Sequence, residues 1–155
     1  MESKSNTLKF SKVRNVKSPV YSTEGSAAFD LFVPEDLAKE NTTLYEGEVL
    51  TIPMGIKVSL PKGYCLQLTS KSGLAKNCGV QVMAGLIDED YQGEICAIIT
   101  LSKKDCVFKL ESGTKLVQAK IQKVPDIKLI EVPELNLYSE KTERGEGGMG
   151  STGLK

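Results

Sequence analysis

Apolar positions along this chain come in short bursts, each closed by Gly, Pro or Asn. Their content of Val, Ile, Tyr and Phe predicts strands at residues 8–13, 29–33, 49–52, 56–60, 64–69, 80–83, 95–101, 107–110, 116–124 and 127–132. Leu60-Pro61-Lys62-Gly63 has the type I turn signature, with Pro second and Gly fourth. Many short strands at close spacing imply an all-β sandwich or jelly roll.

Helix is scarce. Residues 35–40 contain helix formers but are long enough only for a single turn or a loop insertion. Residues 72–77 make a better helix, with Ser72 as its cap and Asn77-Cys78-Gly79 as its stop. From Ser139 onward the chain holds almost nothing that packs, and five glycines fall within residues 144–153. Ordering those glycines costs entropy that no apolar burial offsets. The expected organisation is one domain over residues 1–138 and a flexible tail over 139–155.

Bulk properties narrow the function. At 155 residues, the chain is long enough for one domain with a real core. Twenty basic and twenty acidic residues cancel, so no overall field draws it to nucleic acid or an anionic membrane, and neither is an expected partner. Any anionic ligand must be held locally. No apolar run is long enough to span a bilayer, and the opening residues are polar. The absence of histidine excludes Cys/His metal sites and Ser-His or Cys-His nucleophile pairs. Four cysteines without C-x-x-C spacing fit a reduced protein, so the expected location is intracellular, cytoplasmic or nuclear.

Against that background, the run G-L-I-D-E-D-Y-Q-G-E-I at residues 85–95 stands out. Its pattern is that of two buried strands joined by a glycine-flanked turn. A turn does not need three acids and a tyrosine, however. A tyrosine face suits a sugar or base, and a carboxylate beside it can take a proton from water. Three further segments carry weaker signals. At Thr69-Ser70-Lys71-Ser72-Gly73 a strand gives way to a helix start, which suits phosphate as well as a plain capped helix. Asp30 lies in a small, apolar stretch, where it either bonds a turn backbone or holds waters around magnesium. Gln118 lies among β-type residues, as an outward polar position or a phosphate donor. The tail has the letters G-x-G-x-x-G at Gly145, Gly147 and Gly150, without the strand and helix of a dinucleotide fold. Its close glycines, with Arg144, Ser151 and Thr152, allow it to fold over a polyphosphate.

Taken in order, these segments resemble the five motifs of the trimeric deoxyuridine triphosphatase (dUTPase) family, from about Val20 to Lys155. Residues 85–93 and the tail R-G-x-G-G-x-G-S-T-G at 144–153 carry most of the likeness. The resemblance implies a distorted jelly-roll β-barrel with one short helix, assembled as a homotrimer with sites shared between subunits. It also implies magnesium-dependent hydrolysis of dUTP to dUMP and pyrophosphate, which limits uracil incorporation into DNA and supplies dUMP for dTMP synthesis.

The family's roles then fall on particular residues. Asp88 is the acid that orients and deprotonates water, and Tyr91 packs on the deoxyribose and leaves no room for a 2′-hydroxyl. Backbone from Gly85 through Ile87 reads the uracil edge, and Asp30 touches Mg2+ through water. Lys71, Ser72, Gly73 and Gln118 hold phosphate, with Arg144, Met149, Gly150, Ser151 and Thr152 closing over the nucleotide. Lys71 and Lys115 stand where the family commonly has arginine, and lysine lacks the bidentate fork. Ala28 replaces a usual glycine, and Met149 a stacking aromatic. The lysine and methionine replacements motivate a second expectation, a catalytically impaired nucleotide-sensing or partner-binding trimer; a third, a dCTP deaminase of the same fold, is opposed by the Asp88-Glu89-Asp90-Tyr91 loop.

Overall fold

The computed structural model describes residues 7–40 and 42–147 of the chain. They form two compact units, Met1–Pro125 and Asp126–Lys155. In the first unit the strands are β1 (Lys9–Lys12), β2 (Phe29–Phe32), β3 (Thr43–Tyr45), β4 (Val49–Pro53), β5 (Ile56–Ser59) and β6 (Tyr64–Ser70). They continue with β7 (Val80–Ala84), β8 (Leu86–Ile87), β9 (Cys96–Leu101), β10 (Val107–Lys109) and β11 (Lys115–Lys123). Two short helices interrupt them, α1 (Glu35–Lys39) and α2 (Ser72–Cys78).

Antiparallel ladders join these strands into four small sheets, in the orders β1-β5, β10-β3, β2-β11-β6-β8 and β4-β9-β7. The architecture is the expected all-β, jelly-roll-like one, with two short helices where one was expected and with ladders that do not close into a barrel. Each sheet contributes inward side chains to one cluster, among them Ile56, Leu44, Leu31, Leu66, Leu68 and Ile99. On β9 the alternation is strict: Ala97, Ile99 and Leu101 are buried, while Cys96, Ile98 and Thr100 face outward. A period of two is what a half-buried strand imposes.

Nine of the ten expected strands form. The exception is 127–132, which has no strand partner among the described residues, with Leu129 97% and Ile130 78% exposed. The apolar letters are there, but without a neighbouring edge the backbone has no ladder to complete. The described part of the second unit holds only a 3₁₀ turn, Glu134–Asn136, and tight turns around Thr142–Gly147. Two strands, β3 and β8, escaped the sequence pattern because three and two residues are too short to show a period.

Local expectations were corrected in two places. The turn after β5 centres on Lys62-Gly63, one residue beyond the Pro61-Lys62 pair. Ser72 does not cap α2. Lys71 occupies the cap position with extended backbone, no side chain bonds there, and Ser72 is the first helical residue. The stop is as expected, with Gly79 in the left-handed conformation at φ 75°.

The run at 85–95 is more than a hairpin tip. β7 and β9 do pair antiparallel, but β8 leaves that pair within the connection and joins β6, with Leu86 opposite Gln67 and Ile87 opposite Leu66. The crossing occurs at Gly85. Its carbonyl accepts the Leu68 N–H at 2.8 Å, and a Cβ at residue 85 would lie 2.5 Å from that of Leu68. Gly85→Ala is therefore expected to cost about 2 kcal/mol through overpacking. Because Leu68→Gly removes the Cβ that the new methyl would meet, urea melts of the double variant should show less than the summed loss of the singles.

Candidate active site

Two separate polar regions arise from the four-stranded sheet. The first lies beside β8, where a cavity of about 370 Å³ is lined by Ala84–Asp88, Tyr91, Cys96 and Ile98. Its wall is the backbone crossing at Gly85, and its floor is the outward face of β9. Asp88 follows β8 directly and is exposed, and its carboxylate has no hydrogen bond or ion pair among the described residues. A carboxylate so placed is open to water. Tyr91 is half exposed, with its N–H on the Asp88 carbonyl at 3.2 Å and its hydroxyl donating to the Glu94 carbonyl at 3.0 Å. Burial, then the charge of Glu94, pushes the Cys96 thiol up from its ordinary value. It stays protonated at neutral pH and is a poor nucleophile.

The second region lies at the opposite end of β6. Asp30 pairs with Gln118 across β2 and β11, and Gln118 pairs with Thr69 across β11 and β6. Directly opposed residues share a sheet face, so these three form one row. They line a cleft of about 260 Å³ together with Ser22, Ser26, Lys71 and Lys120. Asp30 is 3% exposed and has three partners: Lys71 meets Oδ1, while Lys115 Nζ (2.8 Å) and Ser22 Oγ (2.7 Å) meet Oδ2. Burial alone would oppose ionisation, but the hydrogen bonds from Lys115, Lys71 and Ser22 outweigh it and hold the carboxyl at about 2. Three lysines against one carboxylate leave the cleft cationic, which suits phosphate. Gln118 donates from Nε2 to the Ser70 carbonyl at 3.1 Å.

The structure thus brings Gly85, Ile87, Asp88 and Tyr91 together at one place and Asp30, Lys71 and Gln118 at another. Ser72 and Gly73 follow Lys71 as the exposed first residues of α2. Arg144 belongs to the second unit, where its Nε donates to the Gly147 carbonyl at 2.8 Å. Met149, Gly150, Ser151 and Thr152 lie outside the described residues. The two regions do not merge within one chain. β2 and β8 are opposite edges of a four-strand sheet, and Asp88 lies about four residues along β6 from the Asp30 row. Strand spacings near 4.8 Å and a rise near 3.3 Å per residue put Asp30 and Asp88 roughly 20 Å apart.

Among the described residues, no group of three or more His, Cys, Asp or Glu is placed to hold a metal ion. A carboxylate has about four acceptor positions, and Asp30 has committed three. That leaves room for one water, so Asp30 fits a magnesium ion carried in by phosphates and does not fit a directly ligated one. Sequence reasoning missed Ser22 and Lys120 as parts of this cleft. Lys120 was detectable, two residues beyond Gln118 on one strand face; Ser22 was not, since only the fold brings it to Asp30.

A β-sheet protein with a carboxylate-tyrosine cavity and a separate cationic cleft has the features of a nucleotide-phosphate hydrolase. The chain belongs to the dUTPase family, whose model matches residues 14–153. A deoxyuridine 5'-triphosphate nucleotidohydrolase of Helicobacter pylori (strain P12) is 40% identical over 151 residues, covering 95% of this chain and 97% of that protein. Its counterpart in Fusobacterium nucleatum is 35% identical, covering 94% and 96%. The structure of the Staphylococcus bacteriophage 80alpha dUTPase with dUPNHPP superposes with a TM-score of 0.82 at 25% identity, covering 96% of this chain and 99% of that one. The dUTPase of phage phi11 of S. aureus, solved with a structural Mg(II) ion, shares the fold at a TM-score of 0.71 and 24% identity, covering 83% and 98%.

The pairing at Asp30 has a consequence in acid. A depressed carboxyl contributes stability above its unfolded value near 4 and loses it as pH falls through about 2. Its share at neutral pH is about 2 kcal/mol. Asp30→Asn should cost about 2–4 kcal/mol at pH 7, since it strands two lysines, and should flatten the fall in stability between pH 4 and 2. Denaturant melts across that range read both effects.

Proposed function

We propose that the chain is a dUTP diphosphatase, releasing dUMP and pyrophosphate by attack of water on the α-phosphorus. The observation that carries this reading is the cavity beside β8, with Asp88 and Tyr91 at the rim of a wall made of strand backbone. Its volume suits a small organic ligand, and the backbone edge offers fixed donors and acceptors to a pyrimidine. The names of the bacterial relatives and the nucleotide analogue bound by the 80alpha enzyme point to the same substrate.

In this mechanism, Asp88 orients a water and takes its proton as oxygen bonds to phosphorus. The bond from phosphorus to the bridging oxygen breaks, and pyrophosphate leaves with the electron pair. Tyr91 lies against the deoxyribose and excludes a 2′-hydroxyl. Lys71, Ser72, Gly73 and Gln118 hold the phosphates, with Lys115 and Lys120 adding charge to the cleft. Asp30 would hold, through water, a magnesium ion arriving with the triphosphate, which would supply charge neutralisation at the phosphate oxygens. Arg144, Met149, Gly150, Ser151 and Thr152 close over the nucleotide, and residues 139–155 act as a lid on the domain formed by 1–138. Lysine at 71 and 115 keeps the charge but gives up the fork of arginine, so phosphate is held less rigidly. Loss of aromatic stacking at Met149 costs about 0.5–1.5 kcal/mol of base binding.

The roughly 20 Å between Asp30 and Asp88 supports a shared site. A water on Asp88, attacking from 3–3.5 Å, puts that carboxylate within about 6 Å of phosphorus. The cationic cleft of the same chain is too distant to hold that nucleotide's phosphates. A neighbouring copy must supply it, and a closed ring of copies satisfies every site at once. The family resemblance makes that ring a homotrimer, with each site built from more than one subunit.

Asp88→Asn should lower dUTP turnover at least ~10²-fold while calorimetry still detects nucleotide binding. Unchanged turnover would remove Asp88 as the base, and wild-type protein that binds dUTP without releasing pyrophosphate would favour a nucleotide sensor. A chain ending at residue 138 is expected to remain folded and trimeric by ultracentrifugation, with turnover reduced at least ~10-fold.

A further inference from the structure

The connection 88–95 carries both Asp88 and Tyr91, yet most of it lies outside any strand ladder. Its C-terminal end is anchored firmly at Ile95, whose N–H donates to the Ile56 carbonyl and whose carbonyl accepts from Met54, both at 2.8 Å. One residue earlier, the anchoring passes to side chains. Glu94 Oε1 accepts from Arg14 Nε at 2.7 Å and from the Gly55 N–H at 2.8 Å, and Oε2 accepts from Arg14 Nη2 at 3.3 Å. The remaining arm of Arg14, Nη1, meets Asp36 on α1. Arg14 and Glu94 are 32% and 21% exposed, so solvent screens the pair only in part.

This arrangement reaches the Tyr91 ring directly. Its hydroxyl donates to the backbone carbonyl of Glu94 at 3.0 Å, the residue whose side chain Arg14 grips. The ring also lies so close over residue 93 that any Cβ there would collide with it. The ring thus lies against the Gly93 backbone, and its tip is tied to the carbonyl of a peptide group whose N–H, that of Ile95, is anchored on Ile56, while the side chain of Glu94 is anchored by Arg14. A guanidinium fork suits this task because two parallel N–H bonds fix the orientation of a carboxylate, which a single ammonium does not.

We propose that Arg14 is a positioning residue for sugar selectivity: by gripping the Glu94 carboxylate it adds to the Ile95 anchor, steadies the residue whose carbonyl receives the Tyr91 hydroxyl, and so holds the ring against a 2′-hydroxyl. The role rests on the proposed dUTP hydrolysis, because selectivity is read from turnover. Asp36 on α1 takes only the third arm of Arg14 and does not touch the Glu94 carboxylate, so it serves as the control.

The test compares full-length wild type, Arg14→Ala, Tyr91→Phe and the double variant for kcat/KM on dUTP and on UTP. Each single change should lower the dUTP-to-UTP ratio about tenfold, and the double should fall no further, since both release the same ring. Additive losses, or lower activity with an unchanged ratio, would overturn the proposal. Hydrogen exchange of the amides in 88–94 gives a reading independent of catalysis. It should quicken in Arg14→Ala and stay near wild type in Asp36→Asn. No change in Arg14→Ala, or equal loosening in Asp36→Asn, would also overturn it. Wild type that does not hydrolyse dUTP would instead defeat the functional reading, while exchange still decides the clamp.

Discussion

The passage of the chain over β6 at Gly85 is the constraint on which the arrangement depends. Two backbones approach there so closely that Leu68 N–H reaches the Gly85 carbonyl at 2.8 Å with no room for a side chain between them. The crossing takes β8 out of the β7–β9 pair and attaches it to β6. One consequence is a cavity wall made of backbone, which presents peptide donors and acceptors in a fixed order. A second is that Asp88, next in the chain, emerges at an exposed sheet edge beside the cavity.

β6 connects the two halves of the chemistry without bringing them together. Near its start it supports β8 and the carboxylate loop; at its end it runs into Thr69, Ser70 and Lys71 beside Asp30. A stiff strand holds the two regions apart as effectively as it connects them. Neither region alone holds both an exposed carboxylate and a cationic cleft. The cleft is itself organised around a buried anion. Asp30 draws Lys71 and Lys115 inward, and their charges also make the cleft attractive to phosphate.

Charge has a different use at Arg14. There the guanidinium is held even more firmly protonated than usual, chiefly by the hydrogen bonds it donates to Glu94 and then to Asp36, and its geometry matters more than its charge. Arg14 and Glu94 are 80 positions apart, as remote in sequence as Lys71 and Asp30 are close in function. Both sites place a carboxylate where donors converge. The cleft, with lysines in excess over its carboxylate, leaves positive charge to meet a ligand.

Sequence alone determined the class of fold and most of the chemistry. Bursts of β-type residues broken by Gly and Pro located nine strands, because period and turn residues are local properties. The run at 85–93 marked the loop that lines the cavity beside β8, because three acids and a tyrosine exceed what any turn requires. The tertiary structure decided which groups meet. That Ser22 and Lys115 share Asp30, that Ser72 opens α2 without capping it, and that Arg14 grips Glu94 all depend on register and crossing. The failure at 127–132 has the same cause: its letters suit a strand, but a strand exists only where a second backbone stands ready to pair.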